Sequence, residues 1–69
     1  MRRQVRVRLE GEEVSVDASM RISELMRELG YHPEAHVPVV NGSPAPERMY
    51  LSDGDDVRFV RITVHHPGV

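Results

Sequence analysis

Apolar and polar residues alternate strictly over Gln4-Val5-Arg6-Val7-Arg8-Leu9. Val5, Val7 and Leu9 share one side, and Gln4, Arg6 and Arg8 the other. A period of two is the mark of a half-buried strand. Glu10-Gly11-Glu12 supplies a turn, and Glu13 to Asp17 resumes the same period, so the chain opens with a β-hairpin. The period then changes. Ile22, Leu25, Met26 and Leu29 fall at i, i+3, i+4 and i+7, one stripe of an amphipathic helix. Gly30 is a natural helix stop and Pro33 blocks continuation. No Ser or Thr directly precedes Ile22; Ser19 could cap from slightly upstream.

His36 to Val40 reads as a short strand. Pro38 within it cannot donate to a ladder, so its amide position must face an unpaired side or a bulge. Asn41-Gly42 is a strong turn signal. Ser43 to Pro46 reads as loop, and Met49-Tyr50-Leu51 as a possible short strand. The turn Asp53-Gly54-Asp55 then launches the long β-branched run Val57 to Val64. The order β-β-α-β-(β)-β, with one helix and one sheet face to cover, predicts an α+β two-layer fold. A hairpin first and a long strand last match a β-grasp sheet, mixed and four- or five-stranded, with the first and last strands side by side at its centre. The expected organisation is one domain over residues 1–64 and a short tail over 65–69.

Composition narrows the chemistry. A chain of 69 residues buries only about 60% of its unfolded surface. It contains no cysteine, hence no disulfide, thiolate zinc site or thiol nucleophile. Its net charge of −2 argues against a dedicated nucleic-acid binder. No signal-peptide pattern and no apolar run of the ~20 residues needed to span a bilayer is visible, which predicts a cytoplasmic protein. Lysine is absent, so no ε-amine is available for a Schiff base or an isopeptide bond. The arginines of the first strand read as a solvent-side stripe that keeps the sheet soluble and blunts an edge.

Neither the histidines nor the aspartates form a convincing metal motif. His32 and His36 are four apart, but Pro33 lies between them. His65 and His66 are adjacent, and in an extended chain they point to opposite sides. Asp53, Asp55 and Asp56 lack the spacing of a calcium loop and read as turn residues that accept local amide hydrogen bonds. With no phosphate loop, triad or paired carboxylates, the chain is expected not to be an enzyme and to need no cofactor. The last strand is more informative. If Val57 and Phe59 face the helix, Val60 and Ile62 lie exposed beside Val39, next to Arg58. An exposed apolar patch of that kind marks an interaction site, so Val39, Arg58, Val60 and Ile62 are the candidate docking residues.

Three segments carry a family resemblance: Ile22-x-x-Leu25-Met26-x-x-Leu29-Gly30, Val39-Val40-Asn41-Gly42, and Leu51-Ser52-Asp53-Gly54-Asp55-Asp56-Val57. In this order and spacing the chain resembles the ThiS/MoaD sulfur carriers, small ubiquitin-like β-grasp proteins. The resemblance implies a carrier whose C-terminal carboxylate is adenylated by an ATP-dependent, ubiquitin-activating-like enzyme. The carboxylate is then converted to a thiocarboxylate, whose sulfur a synthase takes up for thiamin or molybdopterin. Some relatives are instead attached to lysines of other proteins. It implies the same open sheet face as a docking surface. The chain's own charge and hydropathy predict no nucleic-acid or membrane partner, and a monomer or weak homo-oligomer is expected. The family ends in Gly-Gly, which is slim and flexible enough to thread a partner's active site. Aligned on Asp53-Gly54-Asp55, those glycines fall on His65 and His66. This departure sets a second reading beside the carrier: a non-conjugating β-grasp interaction module, docking through Val39, Val60 and Ile62.

Overall fold

The computed structural model describes residues 3–62. The elements run β1 (Gln4–Leu9), β2 (Glu12–Asp17), α1 (Ile22–Leu29), β3 (His36–Val40), β4 (Ser43–Pro44) and β5 (Asp56–Arg61). They form one mixed sheet of five strands in the order β2-β1-β5-β3-β4. β1 and β5 lie parallel at the centre, and the other neighbours are antiparallel. This is the β-grasp arrangement that the pattern of elements predicts, with one helix on one face. No helix among the described residues is long and apolar enough to cross a membrane.

Two tight turns set the hairpin registers. Glu10 and Gly11 connect β1 to β2 with φ of 50° and 87°, and Asn41 and Gly42 connect β3 to β4 with φ of 53° and 83°. Positive φ at both central residues is the type I′ turn, whose twist matches that of paired strands. The second turn makes Ser43–Pro44 a strand where the sequence suggests loop: Val40 pairs with Ser43 and Val39 with Pro44. β4 is an edge strand, where a sheet tolerates proline. Conversely, Met49-Tyr50-Leu51 is not a strand. Tyr50 makes only an isolated bridge to Arg21.

That bridge explains how the helix starts without Ser or Thr. Arg21 is the N-cap residue, and Ser19 instead bonds Asp17 through both its amide and its hydroxyl. The first free amides of α1 are met by the chain that passes beneath. Ile22 N–H donates to the Met49 carbonyl at 2.9 Å and Ser23 N–H to that of Glu47 at 2.8 Å. Arg21 N–H reaches the Glu24 carboxylate at 3.3 Å. The Arg21 guanidinium donates to the Tyr50 hydroxyl at 3.1 Å and lies over its ring, a contact that raises its pKa. At the other end, Tyr31 N–H donates to Met26 and Gly30 N–H to Arg27, the paired bonds of a Schellman stop.

The core lies between α1 and the sheet. Val7, Ile22, Leu25, Met26, Val40, Leu51, Val57 and Phe59 are buried. The helix stripe is shorter than the sequence suggests: Leu29 is 47% exposed, because it sits in the last turn, at the margin of the sheet. Tyr31 closes the other margin, with its ring 4.7 Å from that of Phe59 and edge-on to His36 at 5.0 Å. β1, expected to need blunting as an edge, is an interior strand; the edges are β2 and β4. Pro38 behaves as expected. Ile62 N–H donates to the Ala35 carbonyl, so Ala35, Val37 and Val39 direct their amides toward β5, and Pro38 directs its nitrogen away.

Candidate functional site

α1 covers one sheet face and leaves the other to solvent. On β5 the alternation decides which residues occupy which face. Val57 and Phe59 are buried under the helix, while Arg58, Val60 and Ile62 lie on the open side. Val60 is 50% and Ile62 41% exposed. The phase expected for this strand is therefore the one it adopts.

The neighbours differ in one respect from the sequence expectation. In the β3–β5 register Val60 stands opposite Val37, and Val39 stands opposite Arg58. The open apolar strip is thus Val37, Val39, Val60 and Ile62, with Val37 and Val39 half-buried. Sequence reasoning missed Val37, although period two places it on the face of Val39. Arg58 borders the strip without an ion-pair partner among the described residues. Each aliphatic side chain that a partner fully covered would contribute about 1.5–3 kcal/mol, scaled by its present exposure. Two half-open side chains on one strand therefore outweigh a solvated charge as a source of affinity.

The β1–β2 half of the same face is chemically different. It presents Arg6, Arg8, Glu13 and Ser15, and Arg6 pairs with Glu13 at 3.3 Å. Both partners are well exposed, so the pair is worth at most about 1 kcal/mol. The open face is thus divided into a charge-compensated half and an apolar half.

The acidic turn beside this face is structural, as its sequence suggests. Asp53 accepts from Arg6 N–H at 2.6 Å, and Asp55 accepts from Ser52 N–H at 2.8 Å and from the Asn41 amide at 3.0 Å. Asn41 in turn accepts from Asp56 N–H at 2.9 Å. These bonds extend both ladders into the loop and fix where β5 begins. Asp56 Oδ1 is buried without a hydrogen-bond partner; the register partner of Asp56 on β1 is Arg8. Among the described residues no three His, Asp or Glu side chains converge as a metal site. His36 instead lies against Tyr31, with Nδ1 3.2 Å from the His32 carbonyl.

β5 outruns β1, whose last ladder pair is Leu9 with Val57. The next β5 amide on that side belongs to Phe59. It is met by a side chain: Phe59 N–H donates to Glu10 Oε1 at 2.7 Å. Glu10 thus stands in for the missing strand, which accounts for a glutamate in a left-handed turn position. His65 and His66, the positions that the resemblance gives to Gly-Gly, lie outside the described residues.

Fold, length and the open face of the last strand together point to a ubiquitin-like small protein. Residues 1–63 match the family of small archaeal modifier protein 2. The chain belongs to this family. The match supports a ubiquitin-like small modifier and replaces the narrower ThiS/MoaD resemblance as the family assignment. No curated protein matches the chain.

Proposed function

We propose that this small modifier works as a carrier of the sulfur-carrier type, docking on an ATP-dependent adenylating enzyme through the open β3–β5 face. The observation that carries the reading is the exposure of Val60 and Ile62 on the strand that leads toward the C-terminal segment. In the proposed reaction a C-terminal carboxylate oxygen attacks the α-phosphorus of ATP and pyrophosphate leaves. Hydrosulfide from the sulfur donor then attacks the acyl carbon, AMP leaves, and loss of the S–H proton gives a thiocarboxylate, the form that would serve a sulfur-accepting synthase in thiamin or molybdopterin synthesis. Displacement by a lysine amine would instead attach the chain to another protein. The fold's part is to hold a docking face rigidly at the base of the tail.

The test is incubation with ATP, a sulfur donor and the cognate adenylating enzyme, followed by intact mass. A gain equal to the exchange of one oxygen for one sulfur supports the carrier. An unchanged mass, with an enzyme active on another carrier, contradicts it.

The histidines at positions 65 and 66 favour a second reading. Imidazoles cannot follow glycines through a narrow channel, and Pro67 stiffens the segment further. In this reading the chain binds partners through Val39, Arg58, Val60 and Ile62 without being activated, and binding survives removal of residues 65–69. Loss of binding on that removal, with Val60→Asp harmless, would refute it.

A further inference from the structure

Every basic side chain that is fully charged at neutral pH is an arginine. There are nine of them, and lysine and cysteine are both absent. Arg6, Arg8, Arg27, Arg58 and Arg61 are exposed, at positions where lysine would serve solubility as well. The two residue types differ in one chemical respect. A neutral lysine is a free amine that attacks acyl groups. A guanidinium delocalises its nitrogen lone pairs and does not. The surface therefore carries cations without side-chain amines, and no thiol.

Hydroxyls are weaker candidates, because a neutral hydroxyl needs an adjacent general base to become a nucleophile. The Ser19 hydroxyl donates to Asp17 at 2.7 Å, and the Tyr50 hydroxyl accepts from Arg21. Among the described residues no hydroxyl donates to a histidine; His36 turns Nδ1 to the His32 carbonyl.

One amine is left, the α-amine ahead of β1, and the topology holds it away from the far end. β1 and β5 are parallel neighbours, paired at Leu9 and Val57. The chain therefore enters β1 at one end of the sheet and leaves β5 at the opposite end. At about 3.3 Å per residue, Gln4 and Arg61 lie roughly 30 Å apart along the strands. An antiparallel pair would have brought the two ends together.

This arrangement bears on an activated carrier, whose nearest acceptor is its own chain. An amine joined to the activated carboxyl by a short flexible segment meets it at an effective concentration on the order of 1 mM, which exceeds that of a partner in the micromolar range. Arg58 and Arg61 lie on the strand that leads to the tail, where a lysine would compete best. The α-amine of a second copy has no such proximity and competes only at its bulk concentration. We infer that this chain, once activated, is a strict acyl donor: it neither cyclises nor joins to a second copy, and each acceptor lysine carries a single unit. The activation step itself rests on the carrier reading. In the transfer, the lone pair of an acceptor amine attacks the acyl carbon, AMP leaves, and the amine's proton passes to water. No side chain of a second copy supplies that amine.

The test uses the full chain prepared with a C-terminal alkyl thioester, incubated alone at about pH 8, where an α-amine is largely neutral, and followed by intact mass. The unaltered thioester should only hydrolyse. An added lysine-containing peptide should be acylated once per lysine, which shows that the thioester is reactive. Arg58→Lys and Arg61→Lys, both conservative changes at exposed positions, should give at least about tenfold more amide-linked ring or dimer. A ring or dimer from the unaltered chain, or lysine variants that form no more of it than the unaltered chain, would overturn the inference. Adenylation by the cognate enzyme is measured separately with ATP. Its absence contradicts the carrier reading, while the thioester result still decides whether the chain acylates itself.

Discussion

Val57 and Phe59 differ from Val60 and Ile62 in little but parity. All four lie in one short stretch of chain, and all are β-forming apolar residues. The first pair is buried against α1; the second is largely open to water. The sheet has one helix to cover it, so one parity becomes core and the other becomes surface. Truncating a side chain of the first set leaves a cavity, whereas changing one of the second removes only what a partner would touch. The same strand therefore separates core from open surface at one-residue spacing, and the proposed docking face falls on the open side.

The sharpest way to break that contrast is on the buried side. Phe59→Ala removes a ring that packs on Tyr31 and should cost about 3–5 kcal/mol. Total stability for a chain this short is on the order of 5 kcal/mol, so the variant should keep at most about 2 kcal/mol and unfold at a much lower urea midpoint. Glu10→Ala comes next. It leaves the Phe59 amide without its 2.7 Å acceptor, at a cost of about 1–2 kcal/mol. Gln at position 10 should recover part of this loss. Gly42→Ala forces a side chain into φ of 83° and should cost about 1 kcal/mol, read as a lower urea midpoint at unchanged slope. Smallest of all, Arg6→Ala breaks an exposed pair with Glu13 and should change stability by about 0.5 kcal/mol or less. An equal loss from Arg6→Ala and Phe59→Ala would mean that the two faces are not energetically distinct.

Much of this was legible from periodicity. β1 and β3 have the bounds that alternation predicts, and α1 carries the predicted stripe and stops at Gly30, because each element buries one stripe and the stripe is written in the sequence. The phase of β5 was legible for the same reason. What escaped depended on contacts between distant segments. Ser43–Pro44 becomes a strand because the Asn41-Gly42 turn folds it back on Val39 and Val40, although Pro44 argues locally against it. Leu29 obeys the helix period yet is exposed, since the sheet does not extend beneath the last turn. The pairing of Val60 with Val37 rather than Val39 requires the inter-strand register, which no single strand encodes. Arg21 as N-cap is intelligible only once the carbonyls of Glu47 and Met49 lie beside the helix start.

The central claim is that β5 divides its labour by parity, with Val60 on the recognition side. The most direct measurement compares Val60→Asp with the unaltered chain in two readouts: urea unfolding and affinity for the adenylating enzyme. The account predicts a stability change within about 0.5 kcal/mol, as for an exposed site, together with about tenfold weaker binding, from losing one half-exposed apolar anchor and covering an unpaired carboxylate. Binding that is undiminished in a folded Val60→Asp protein would contradict it.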